Sequence, residues 1–155
     1  MTRRDRLIQE RDHDSYGTPK KLPDPSACTS CRAMYRAGRW QWGHPPADAK
    51  PVLCPACKRA EDDMPAGILT LAGTFLVEHR AEILALVRNV EEREAEEHPL
   101  KRIIDQSEQG DGVQIKTANA DLARSLGNAI HHAYKGELDY RYPGEGDVLR
   151  VRWER

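Results

Sequence analysis

The four cysteines constrain this chain more than any other feature, because they are its only cysteines and they fall into two closely spaced pairs. Cys28 and Cys31 form one C-x-x-C pair, and Cys54 and Cys57 form the other. Each pair can fold into a tight turn that points both sulfur atoms at one ion, so that two pairs complete a tetrahedral four-thiolate Zn²⁺ site. With four thiolates and no open position, we expect the zinc ion to organise the fold rather than to catalyse.

Redox chemistry is the competing interpretation of these cysteines. The stretch from Cys54 to Cys57 has the spacing of a disulfide oxidoreductase. However, no βαβ pattern surrounds it, and a redox role would leave the pair at Cys28 and Cys31 without a function. The zinc interpretation accounts for both pairs.

Composition and charge along the 155 residues predict three parts. Residues 1–25 should be a flexible tail, since they mix both charges with three prolines and few apolar side chains. Residues 26–63 should form the four-cysteine zinc module, and residues 64–155 an α+β domain. Because no apolar run is long enough for a bilayer or a signal peptide, we expect a cytoplasmic protein with no membrane contact.

The third part alternates strand and helix signals. The predicted elements are strand 68–72, helix 75–97, strands 100–106 and 113–116, a helix from Thr117 or Asn119 to Gly136, and strands 137–142 and 148–153. The order β-α-β-β-α-β-β predicts a ferredoxin-like sandwich with one extra strand. Both helices should pack on one sheet face with Trp153 in the core, which leaves the other face open and basic.

Basic and aromatic residues alternate between the cysteine pairs. From Ser26 to Arg59 there are six basic residues and one acidic residue. Arginines bind phosphates and exposed rings stack on unpaired bases, so this stretch predicts nucleic-acid contacts. The residues concerned are Arg32, Arg36, Arg39, Trp40 and Trp42. The alternative is that a module this small needs its aromatic rings as a hydrophobic core.

Further candidate nucleic-acid contacts lie in the α+β part. Arg124 and Lys135 share one face of the second predicted helix, where they form a phosphate-binding stripe or an ordinary solvated face. Arg150 and Arg152 alternate with apolar residues in the last strand, so both should point to the open face of the sheet.

Several short motifs, taken in their order along the chain, resemble a known family. They are Cys54-Pro55-Ala56-Cys57, Pro65-Ala66-Gly67, Leu71-Ala72-Gly73-Thr74-Phe75, Glu97-His98-Pro99-Leu100, Arg102-Ile103, Leu122-Ala123-Arg124 and Leu149-Arg150-Val151-Arg152-Trp153. The span from 28 to 154 resembles small bacterial zinc-ribbon proteins of unassigned function. That family is distantly similar to the N-terminal half of the archaeal and eukaryotic adaptor for nuclear export of the large ribosomal subunit. The resemblance implies a ribosomal partner, although the adaptor has further cysteine pairs and this chain has one set.

Two functions are consistent with these patterns. The first is a non-enzymatic, zinc-binding module that associates with RNA or the ribosome. The second is a zinc-ribbon protein that binds or regulates a protein partner and does not bind nucleic acid. The sequence contains no glycine-rich phosphate loop, nucleophile elbow or catalytic metal ligand set, so we expect neither enzymatic activity nor a small-molecule substrate.

Overall fold

The computed structural model describes residues 22–142 and 148–155, which form an α+β structure with two mixed sheets. Most of the predicted tail, and residues 143–147 between the last two predicted strands, lie outside the described residues. Within the described ranges, no helix is both long and apolar enough to cross a membrane.

The first sheet belongs to residues 22–63, which we call the cysteine module. Its strands are β1 (Ser26–Cys28), β2 (Met34–Arg36), β3 (Arg39–Gln41) and β4 (Lys50–Val52), followed by helix α1 (Pro55–Asp62). The strand order is β3-β2-β1-β4, with β1 antiparallel to β2 and parallel to β4. Pro51 is tolerated because β4 is an edge strand.

The contacts of the module begin before Ser26. The carboxylate of Asp24 accepts a hydrogen bond from the N–H of Ala37 at 3.0 Å, and the carbonyl of Pro25 accepts one from Lys50 at 3.0 Å. Residues 22–25 are therefore attached to the small sheet.

The second sheet belongs to the α+β domain, which comprises the described residues from 64 onward. Its elements are β5 (Gly67–Ala72), α2 (Thr74–Glu78), α3 (Arg80–Glu97), β6 (Ile103–Gln109), β7 (Gly112–Thr117), α4 (Ala120–Tyr134), β8 (Glu137–Arg141) and β9 (Leu149–Glu154). The strand order is β6-β7-β5-β9-β8. The extra strand β9 lies inside the sheet, where it pairs in parallel with β5 and antiparallel with β8.

Two element boundaries differ from the sequence prediction. The helix predicted over 75–97 is divided at His79, whose ring stacks on Phe75 with centroids 3.9 Å apart. The strand predicted from residue 100 begins at Ile103, because Glu91 of α3 accepts the N–H of Ile103 at 2.7 Å and holds the preceding segment against the helix.

The main core lies between the helices and one face of the second sheet, as predicted. It contains Leu69 and Leu71 from β5, Ile83 and Val87 from α3, and other buried aliphatic side chains from α4, β7 and β9. Trp153 is fully buried in this core, and its indole N–H donates to the carbonyl of Lys135 at 2.6 Å. The prediction that Trp153 is a core residue is confirmed.

The cysteine module packs against the α+β domain. Ala118 belongs to the same buried cluster as Cys28, Cys54 and Trp40, and Leu100 and Ile104 pack against that cluster. The module therefore shares its small hydrophobic core with the segments at the start of β6 and the end of β7.

The open face of the second sheet carries both signs of charge, so the prediction of a basic face is wrong. Arg141 and Arg150 are cross-strand neighbours, but the next pair is Asp139 and Arg152. Acidic residues enter because β8 places Glu137 and Asp139, together with Arg141, on the face where β9 places its arginines.

Candidate metal centre

The first cysteine turn follows directly from the end of β1. Cys28 is the last residue of that strand, and its sulfur accepts hydrogen bonds from the N–H groups of Ser30 at 3.4 Å and Cys31 at 3.5 Å. The sulfur of Cys31 in turn accepts from the N–H of Ala33 at 3.4 Å. The backbone thus wraps around both sulfur atoms and supplies donors that stabilise thiolates.

The second cysteine turn is the start of helix α1. Cys54 is the N-cap residue, Pro55 occupies the first turn, and the sulfur of Cys54 accepts from the N–H of Cys57 at 3.4 Å. A helix N-terminus carries a partial positive charge and unpaired N–H groups, so it favours negative sulfur atoms at this position.

The parallel pairing of β1 and β4 brings the two turns together. The sulfur atoms of Cys28, Cys31, Cys54 and Cys57 all lie within 4.8 Å of one another. The Cys31 and Cys54 sulfurs are 3.8 Å apart, and all four cysteines are free of disulfide bonds. Cys28 and Cys54 are buried, and the other two are partly exposed. This cluster can hold a metal ion.

The four cysteines differ in their tendency to ionise. The pKa of Cys31 is lowered to about 4, chiefly because Cys54 donates a hydrogen bond to its sulfur. The same hydrogen bond raises the pKa of Cys54, which is its donor, and burial raises it further. Burial also raises the pKa of Cys57. Burial opposes ionisation of Cys28, but backbone N–H donors outweigh it and lower its pKa. A metal must therefore displace protons from Cys54 and Cys57.

Arg102 is a site residue that the sequence analysis missed. Its Nη2 lies 3.1 Å from the sulfur of Cys54, and both terminal nitrogens lie 3.7 Å from the sulfur of Cys57. Although burial opposes its charged form, the cysteine sulfurs raise the pKa of Arg102 and keep it cationic. It stands 45 residues beyond Cys57 in the chain, so spacing gives no signal that it belongs to the cluster.

Two of the predicted nucleic-acid contacts form the tip of the β2–β3 hairpin. Arg36 and Arg39 are exposed and directly opposite each other, across a turn of Ala37 and Gly38. Both turn residues have positive φ, at 55° and 82°, as a two-residue type I′ turn requires. Arg32 is exposed in the first cysteine turn. Among the described residues, no carboxylate lies within ion-pair distance of these three arginines.

The two tryptophans of the module have structural contacts. Trp40 is only 8% exposed and packs beside Tyr35, so its ring belongs to the module core and is closed to a stacking base. Trp42 is 41% exposed, and its indole N–H donates to the carbonyl of Ala95 in α3 at 2.7 Å. Trp42 therefore anchors the module to the α+β domain.

The remaining candidate contacts do not join one surface. Arg124 pairs with Asp121 at 2.6 Å and donates to the hydroxyl of Tyr142 at 2.6 Å, on the helix side of the sheet. Lys135 follows the end of the same helix. Arg150 and Arg152 are exposed on the opposite side of the sheet, where Arg152 pairs with Glu154 at 3.1 Å.

No family model, curated protein or solved structure matches this chain. The resemblance to small zinc-ribbon proteins stays a prediction.

Proposed function

We propose that this protein is a zinc-stabilised, non-enzymatic RNA-binding module, in which the β2–β3 hairpin is the main RNA contact. The observation that carries the proposal is the pair of exposed arginines at the hairpin tip. Like charges placed directly opposite each other on neighbouring strands destabilise a sheet. A bound phosphate group would offset that repulsion, because arginine donates paired hydrogen bonds to phosphate oxygens.

The sulfur geometry supports Zn²⁺ as the metal. With Zn–S distances near 2.3 Å, neighbouring sulfurs in a regular tetrahedron are about 3.8 Å apart. The separation of the Cys31 and Cys54 sulfurs, 3.8 Å, fits that value. Cys28, Cys31, Cys54 and Cys57 would supply all four ligands, and a closed four-thiolate site serves structure rather than catalysis.

The hairpin is connected to the metal centre through the sheet. Cys28 ends β1, and β1 pairs with β2, which carries Arg36 at its far end. The tip is also fixed, since Gln41 donates to the carbonyl of Arg36 at 2.9 Å and Asp24 accepts the N–H of Ala37. A fixed tip presents both guanidinium groups without a large ordering cost on binding.

A protein partner is the second candidate, and a groove beside Trp42 favours it. Trp42 is one of the few large apolar side chains exposed in the described residues. The groove is lined on the α3 side by Asn89, Glu92, Arg93, Ala95 and Glu96. An exposed indole between acidic side chains suits a basic peptide segment, because a cation can sit over the ring.

The test compares two charge-matched double variants. R36A/R39A removes the hairpin arginines, whereas R88A/R93A removes two exposed arginines from α3. Binding to single-stranded and structured RNA is measured over a range of salt, together with co-sedimentation with ribosomes. We expect R36A/R39A to reduce the slope of log affinity against log salt by roughly 1.5, and R88A/R93A to leave it nearly unchanged.

The proposal fails if the wild-type protein binds neither RNA nor ribosomes at about 100 mM salt, where counterion release still favours association. It also fails if both double variants weaken RNA binding equally, since the contact would then be a general effect of charge. Binding of a basic peptide at the Trp42 groove without any RNA binding would establish the second candidate.

A further inference from the structure

The position of Arg102 links the metal centre to the α+β domain. Its guanidinium contacts the sulfurs of Cys54 and Cys57, which are the ligands at the start of α1. Arg102 itself belongs to the segment between α3 and β6, on the other side of the contact between the two halves of the chain. The residue therefore reaches across the interface into a site formed by a different part of the sequence.

The backbone of Arg102 is fixed on both sides. Its carbonyl accepts the N–H of Ala118 at 2.9 Å, and the N–H of the next residue, Ile103, donates to the carboxylate of Glu91 at 2.7 Å. Leu100 and Ile104, which flank it, pack against the buried cluster that contains two of the cysteines. The side chain is thus held in place by the α+β domain and not by the module that it contacts.

The charges explain why a cation belongs at this position. One Zn²⁺ ion with four thiolates has a net charge of −2, and two of these sulfurs are buried. An uncompensated buried charge is strongly unfavourable, whereas a guanidinium within hydrogen-bond distance offsets it. Within the part of the chain that the structure describes, the buried Nε atom of Arg102 has no hydrogen-bond partner, and the terminal nitrogens contact the sulfur atoms of Cys54 and Cys57.

We propose that Arg102 couples metal retention to the docking of the two halves, because the negative charge of the metal centre is partly compensated by this guanidinium only when the α+β domain is docked. Arg102 is a positioning residue that acts through Cys54 and Cys57. This proposal rests on the zinc site proposed above. By thermodynamic reciprocity, zinc tightens the docking by the same factor by which docking tightens zinc binding.

The experiment measures zinc affinity of full-length variants by competition with a chromophoric chelator. R102M keeps the length and apolar stem of the side chain but removes its charge, and R102K keeps a charge without the planar fork. We expect the zinc dissociation constant to rise about 10–100-fold in R102M and by less in R102K. R88M, at an exposed position on α3, serves as the control and should match the wild type.

Hydrogen exchange supplies the second readout. Removing zinc from the wild type should speed amide exchange at Ala118, whose N–H is bonded to Arg102, while Ile115 in the main core stays protected. In R102M, exchange at Ala118 should already be faster with zinc bound. If R102M binds zinc too weakly for the competition assay, R102K takes its place in both measurements.

The outcomes separate the two proposals. A wild-type chain without zinc would overturn the metal centre itself. Zinc bound by R102M with an affinity within about twofold of wild type would overturn the role of Arg102 and leave the metal centre intact. An equal loss of affinity in R88M and R102M would also overturn it, because the effect would not depend on contact with the cysteines.

Discussion

Removal of the metal at pH 7 should unfold the cysteine module and leave the main core of the α+β domain folded. The module has few buried apolar side chains of its own, chiefly Ala33, Met34, Trp40 and Ala56. A hydrophobic core of that size does not compensate the entropy of ordering some forty residues. The α+β domain retains its cluster around Trp153, although the segment at Leu100 and Ile104 loses its packing partner.

The number of protons released on metal return gives this prediction a magnitude. In an unfolded module each thiol has a pKa near 8.5, so about 97% is protonated at pH 7 and zinc binding releases nearly four protons. A module that kept its fold would release fewer, because the pKa of Cys31 is already about 4 in the folded cluster. Zinc affinity must rise with pH in either case, since protons are products of binding.

Calorimetric titration in two buffers of different ionisation enthalpy measures the proton count. Circular dichroism and tryptophan fluorescence follow the fold, with Trp40 and Trp42 reporting on the module and Trp153 on the domain. A release of three protons or fewer, together with unchanged spectra after chelation, would refute the reasoning. The small module would then be stable without its metal.

Two other substitutions test the packing. Trp153→Ala should lower the free energy of unfolding by about 3–5 kcal/mol, because it opens a cavity in the main core and leaves the carbonyl of Lys135 without its donor. Denaturant titration measures this change, and a loss below about 1 kcal/mol would show that β9 is peripheral. Trp42→Phe should keep the apolar contact but lose the hydrogen bond to Ala95, which would weaken docking by about 0.5–1.5 kcal/mol. Faster proteolysis between the module and α3, with the main core unchanged, would confirm that anchor, and an unchanged cleavage pattern would contradict it.

Local sequence patterns determined several structural features of this protein. The C-x-x-C spacing was sufficient to predict the two cysteine turns, because each pair closes a tight turn by itself, whereas the parallel pairing of β1 with β4 brings the two turns together. Strand alternation placed Trp153 in the core, and Asn119, one of the two residues predicted to start this helix, caps α4 by accepting the N–H of Leu122 at 3.0 Å. These features depend on residues that are close together in the chain.

The tertiary structure decided what depends on contacts between distant segments. Trp40 and Trp42 are two residues apart with similar local sequence, yet one completes the module core and the other binds Ala95, because the strand and the following loop face different neighbours. The placement of β9 inside the sheet follows from its parallel pairing with β5, some eighty residues earlier. Arg102 reaches the cysteines only because β6 docks beside α1, and no periodicity or spacing in the sequence encodes that contact.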